Sequence, residues 1–204
     1  MDAPLITSID PGHPSPSIIQ HAASLLAEGE LVVIPTETVY GLASHPDVPG
    51  AINRIYALKG RPDSKPIPLM ISHMNQVESR MAEWSEAGRA MAEYFWPGPL
   101  TLVLEIPGGS IGFRMPDHPV TMALLQACGG ALSVTSANLS GLPEARSAEE
   151  AVKNIGHGIA LALDAGPSRG GIPSTVVRIQ GDEWKILREG AISASQLARI
   201  SELA

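Results

Sequence analysis

An α/β fold, with a twisted mixed sheet flanked by helices, is what this sequence predicts. Short apolar runs recur between segments whose apolar positions fall three and four apart, an alternation that builds sheets covered by helices. Two pairs of runs, spanning 100–114 and 174–187, are spaced like hairpins, so part of the sheet is antiparallel. The 20 glycines and 18 prolines lie largely between these segments, which demands specific backbone shapes of many connections.

Residues 1–14, rich in Pro, Asp and Gly, read as an irregular lead-in. From 17 to 28, Ile18, Ala22, Leu25 and Leu26 keep helical spacing, and Gly29 closes the segment. Residues 31–34 are wholly apolar, as in a strand covered on both faces. Further strands are expected at 69–71, 100–105, 111–114, 131–134, 159–163, 174–179 and 184–187. Helical patterns fall at 49–58, 74–80, 85–95, 118–128, 147–155 and 193–202. With no linker and no internal repeat, residues 1–204 are expected to form one domain.

Fourteen Lys and Arg against 21 Asp and Glu give a formal net charge of −7. That argues against broad binding of nucleic acid, which needs a field of cations to displace counterions, but leaves room for a local cationic pocket. Cys128 stands alone, so neither an intrachain disulfide nor a cysteine zinc site is expected. The N-terminus shows no basic and apolar leader, and no apolar run is long enough to cross a bilayer, so a cytoplasmic protein with no membrane partner is expected. Six histidines lack metal-ligand spacing, and no metal site is assigned. Gly108-Gly109-Ser110-Ile111-Gly112 fits the nucleophile-elbow pattern literally. It runs on into extended, proline-broken sequence rather than a helix, which argues against a serine hydrolase.

Three segments carry the chemistry. Lys59-Gly60-Arg61-Pro62-Asp63-Ser64-Lys65 crowds three cations beside two backbone-bending residues, the composition of a loop that holds an anion or of a solvated basic turn. Pro35-Thr36-Glu37-Thr38-Val39-Tyr40-Gly41-Leu42 follows the apolar strand at 31–34, where ligands collect in α/β sheets. Its hydroxyls and carboxylate suit a polar small molecule, and a capped helix start is the rival reading. Val134-Thr135-Ser136-Ala137-Asn138-Leu139-Ser140-Gly141 follows another apolar strand, with groups that could donate to phosphate or simply form a turn.

Taken with Trp96-Pro97-Gly98-Pro99-Leu100-Thr101, Phe113-Arg114-Met115-Pro116, Ser174-Thr175-Val176-Val177 and Arg188-Glu189-Gly190, these blocks occur in the order seen in the YrdC-like threonylcarbamoyl-AMP synthase family, which the chain resembles from about residue 15 to 200. It looks like the short, single-domain form. The resemblance implies a nucleotidyltransferase making L-threonylcarbamoyl-AMP and pyrophosphate from L-threonine, bicarbonate and ATP with Mg2+. That is the first step of t6A modification of tRNA, completed by other proteins of that pathway. It implies that Lys59, Arg61, Ser136 and Asn138 face the nucleotide as catalytic groups, and that Lys65, Ser110 and Arg188 also touch ATP. Thr38, Arg114, Val134 and Ser174 resemble the threonine-binding positions, with Arg114 on the carboxylate. Some relatives carry Asn-Pro-Leu followed by a substrate-facing His where this chain has Lys65-Pro66-Ile67-Pro68-Leu69-Met70, and His73 comes too late to replace it. A module that binds tRNA or double-stranded RNA without catalysis is the alternative. RNA binding would weaken steeply with salt, and ATP turnover would not.

Overall fold

Residues 5–62, 64–181 and 183–201 are described by the computed structural model. Their strands are β1 (Leu5–Ser8), β2 (Val32–Ile34), β3 (Gly41–Ser44), β4 (Leu69–Ile71), β5 (Leu100–Ile106), β6 (Gly109–Arg114), β7 (Ala131–Ser136), β8 (Leu161–Asp164), β9 (Thr175–Gln180) and β10 (Glu183–Arg188). The helices are α1 (Pro16–Ala27), α2 (Ala51–Lys59), α3 (Asn75–Ser79), α4 (Glu86–Phe95), α5 (Pro119–Ala127), α6 (Ala148–Ile155) and α7 (Ala194–Ser201). All described strands join one sheet in the order β1-β8-β2-β3-β7-β4-β6-β5-β9-β10. The pairs β1/β8, β2/β8, β4/β6 and β5/β9 are parallel, whereas β5/β6 and β9/β10 are the expected antiparallel hairpins.

Two strands differ from the sequence reading. Within the expected irregular lead-in, Leu5–Ser8 pairs in parallel with Leu161–Asp164 at the sheet edge. Four residues with mostly exposed side chains offer too little alternation to be read as a strand. The other is β3, which begins inside the Thr-rich motif and is buried throughout. Its Gly41 is a packing requirement, because a Cβ there would sit 2.7 Å from Val134 Cγ1 on the neighbouring β7. A strand built from Gly, Leu, Ala and Ser lacks the β-branched and aromatic residues that announce one.

The sheet has two halves. Around β2, β3 and β8 both faces are covered. α1 and α5 press Ile19, Leu26, Val120 and Leu124 onto Val32, Ile34, Leu132 and Leu163. On the opposite face α2 and α6 bring Ile55, Ala151 and Ile155 against Val33, Leu42 and Ala162. This double covering explains why β2 and β8 read as continuous apolar runs. Around β5, β6 and β9, α4 and α7 cover one face, with Met91 and Leu197 packed on Leu100, Leu102, Leu104, Phe113 and Val177. The other face of that half carries a cavity.

Cys128 caps α5, and burial pushes its thiol up to about 11. Raised basicity leaves less thiolate but makes it more nucleophilic, so alkylation by iodoacetamide at pH 8 is expected to be about tenfold slower than for free cysteine. A timed mass-spectrometric labelling series measures this, and labelling as fast as free cysteine would contradict the burial.

Candidate active site

The cavity, about 660 Å³, is floored by alternate residues of neighbouring strands. Thr101 and Val103 of β5, Ser110, Gly112 and Arg114 of β6, Val134 and Ser136 of β7, and Val176 and Arg178 of β9 all line it. Successive side chains of a strand point to opposite faces, so the intervening Leu102, Phe113 and Val177 belong to the core behind. Met70 and Val134 lie both in the α1/α5 core and in the cavity wall, which marks where helix cover ends and the cavity begins.

Of the residues singled out from the sequence, Thr38, Arg61, Lys65, Ser110, Arg114, Val134, Ser136, Ser174 and Arg188 line this cavity. They come from separate motifs. Lys59 and Asn138 are not among the residues that line it. Lys59 is 3% exposed, and its Nζ donates to the backbone carbonyls of Ser136 and Asn138. The Asn138 amide is likewise committed to its own loop, donating to Leu139 O at 3.0 Å and Leu142 O at 2.6 Å. These two side chains therefore lock the end of α2 to the Ser136–Ser140 turn, an arrangement reinforced by Ser140 N donating to Lys59 O at 3.0 Å. The lock holds Ser136 at the wall. Burial pulls the Lys59 ammonium down to about 8, and the charge of Arg61 adds to the pull.

Gly60, at φ 59°, ends α2 in the left-handed region and turns the chain into the basic loop. Arg61 braces that loop from within, its Nε donating to Lys65 O at 2.7 Å and Nη2 to Pro66 O at 3.1 Å. At the far wall Arg114 is buried. Its Nη2 donates to Glu37 Oε1 at 2.6 Å and Thr38 Oγ1 at 2.9 Å, and its Nε to Gly98 O at 3.3 Å. Glu37 thus orients a buried cation that would otherwise be uncompensated.

Arg188 reaches the cavity because of a bulge. Lys185 pairs with Arg178 and Ile186 with Val177, but the next pair is Arg188 with Val176, which leaves Leu187 as an extra residue. Straight alternation from Lys185 would send Arg188 to the opposite face, and the bulge turns it back. Its Nη2 donates to Ser174 O at 2.7 Å and Ser174 Oγ at 3.2 Å, while Ser174 Oγ also meets Thr101 Oγ1 at 2.9 Å. Gly190 permits this approach, since a Cβ there would lie 2.3 Å from Pro173 O.

The cations sense one another. Burial lowers the Arg188 pKa, Glu144 opposes the shift, and the charges of Arg114 and Arg61 add to it. Arg61 is lowered by burial as well. Cations gathered in a partly buried wall favour anionic ligands. The sequence reading missed Arg178, Thr101 and Glu144. Arg178 was findable, because it lies two residues after Val176 on the same strand face. A second, larger groove of about 1120 Å³ lies behind the sheet, lined by Glu78, Glu83, Trp84, Arg89 and Glu105 among others. It holds none of the candidate residues, and its carboxylates suit an anion poorly.

Comparison with known proteins places the fold. The family Sua5/YciO/YrdC, described as Telomere recombination, matches residues 24–190. The threonylcarbamoyl-AMP synthase of Bacillus subtilis is 37% identical over 193 residues, covering 89% of this chain and 56% of that protein. The crystal structure of Pyrococcus abyssi Sua5 complexed with L-threonine superposes with a TM-score of 0.90 at 31% identity, covering 96% of this chain and 60% of that one. Escherichia coli YciO shares the fold, with a TM-score of 0.82 at 24% identity over 97% of this chain and 100% of its own. The chain therefore spans little more than half the length of the Bacillus and Pyrococcus relatives. With the family model matched over most of its length and its sheet superposing on that of the Pyrococcus relative, this chain belongs to the Sua5/YciO/YrdC family.

Proposed function

We propose that the chain condenses L-threonine, bicarbonate and ATP into L-threonylcarbamoyl-AMP and pyrophosphate, a nucleotidyl transfer that supplies tRNA t6A modification in the cytoplasm. The observation that carries the reading is the convergence of Arg61, Lys65, Arg114 and Arg188, from three separate sequence blocks, on one cavity. In this reading the threonine amine attacks bicarbonate and water leaves, forming a carbamate. A carbamate oxygen then attacks the α-phosphorus, and the bond to the departing pyrophosphate breaks. Negative charge grows on the phosphate and on the leaving group. Fixed donors stabilise that growth, and positioning does the remaining work without a protein nucleophile. Arg61, Lys65, Ser110, Ser136 and Arg188 serve the nucleotide, whereas Thr38, Arg114, Val134 and Ser174 serve the amino acid. Lys59 and Asn138 act from behind by holding Ser136. Other proteins of the t6A pathway carry the product to tRNA.

Among the described residues no group of three or more His, Cys, Asp or Glu could hold a metal ion. Magnesium in this proposal arrives on the ATP phosphates, as it commonly does, and no step is assigned to a resident ion.

Pyrophosphate release from ATP that requires both L-threonine and bicarbonate tests the function. Release that ignores either one would overturn it. Arg114→Ala is expected to weaken L-threonine binding about 30-fold, the loss of a charge-assisted contact, with far less effect on ATP. Isothermal titration measures both, and an unchanged threonine affinity would remove Arg114 from that role.

A further inference from the structure

The hydroxyls of Thr36 and Thr38 form a chain whose proton order is fixed at one end. Thr36 Oγ1 lies 2.6 Å from Val39 O, a carbonyl that can only accept, so the Thr36 proton is committed there. Thr36 and Thr38 Oγ1 are 2.8 Å apart, a hydrogen bond that needs one proton, which Thr38 must supply. Thr36 Oγ1 also accepts the Thr38 backbone N–H at 3.2 Å, which fills its remaining lone pair. Thr38 Oγ1 in turn accepts from Arg114 Nη2 at 2.9 Å. With its proton and one lone pair engaged, the Thr38 hydroxyl has a single lone pair left, and Thr38 lines the cavity.

Arg114 is polarised in the complementary sense. Both hydrogens of Nη2 go to Glu37 and Thr38, and Nε serves Gly98 O. Among the described residues Nη1 has no hydrogen-bond partner, so its two hydrogens are the ones available to a ligand.

We propose that Thr36 is a specificity-determining residue. By committing the Thr38 proton, it makes Thr38 an obligate acceptor beside the Arg114 donor. The pair reads a ligand that brings a carboxylate to Nη1 and a hydrogen-bond donor, an ammonium or a hydroxyl, to Thr38. A ligand that offers a carbonyl or carboxylate oxygen at that second position meets a lone pair and the nearby Glu37 charge, and is rejected. This inference rests on the proposed function, with an amino acid in this part of the cavity. A merely structural Thr36, bracing the turn through Val39 O and Thr38 N, would affect every ligand alike.

The test is a titration of wild type, Thr36→Val and Thr36→Ser with L-threonine, L-2-aminobutyrate, which lacks the hydroxyl, and 3-hydroxybutyrate, which lacks the amine. Thr36→Val is expected to weaken L-threonine about tenfold while leaving the analogue that lacks the donor read by Thr38 within about twofold, and Thr36→Ser to restore the wild-type pattern. Which analogue is spared identifies the donor as amine or hydroxyl. An equal loss for all three ligands, or no loss for threonine, overturns the relay. Should Thr36→Val not fold, Thr38→Val must give the same selective loss, and a uniform loss there also overturns the relay. If the wild type fails to bind L-threonine at all, the proposed function falls and the relay with it. Retained binding with a uniform loss sinks the relay alone.

Discussion

Arg61→Ala is expected to lower the rate of pyrophosphate release by about 100- to 1000-fold, the range seen when one preorganised donor to a developing charge is removed. Arg61 is only partly buried and lines the cavity, and the carbonyls it braces belong to an exposed loop. Stability should therefore hold, with a melting temperature within about 2 °C of wild type. Arg61→Lys keeps the charge but loses the flat fork that contacts Lys65 O and Pro66 O, so it should recover only part of the rate. Steady-state kinetics with a thermal melt checks both halves. A full rate in Arg61→Ala would remove this loop from the chemistry, and a collapsed melt would make its role structural.

Lys59→Ala should behave differently, although only two residues separate the positions. The lysine is buried and its ammonium serves the carbonyls of Ser136 and Asn138. Truncation leaves those acceptors unpaired and opens a void the length of the side chain. A destabilisation of about 2–4 kcal/mol is expected, measured by urea unfolding. Activity should fall too, because Ser136 is no longer held at the wall. The diagnostic is the combination: Lys59→Ala loses stability and rate together, and Arg61→Ala loses rate alone. A Lys59→Ala protein as stable as wild type, yet inactive, would return Lys59 to direct work on phosphate.

That contrast shows where reading the sequence succeeds and where it stops. Motif order brought Lys59, Arg61, Ser136 and Asn138 to the same neighbourhood. Which of them face the ligand depends on burial and on hydrogen bonds between α2 and the turn after β7, and no local pattern encodes those. The strand β5 was legible because Leu100–Ile106 is rich in Leu, Val and Ile. The strand β3 was not, since Gly, Leu, Ala and Ser, all buried after a Thr-rich turn, carry neither alternation nor β-branching. Arg188 was named from its motif, but the reason it reaches the cavity is the extra Leu187 in β10, which a strict two-residue period would place wrongly. Arg178 shows the converse, since the same period read from Val176 puts it on the cavity face.

A crystal structure grown with L-threonine and a non-hydrolysable ATP analogue tests the central claim most directly. The amino acid is expected against Arg114 and Thr38, and the nucleotide phosphates within hydrogen-bond reach of Arg61, Ser136 and Arg188 in the cavity those residues line. Ligand density instead in the groove beside Trp84 and Arg89, with the Arg114 wall empty, would contradict the account.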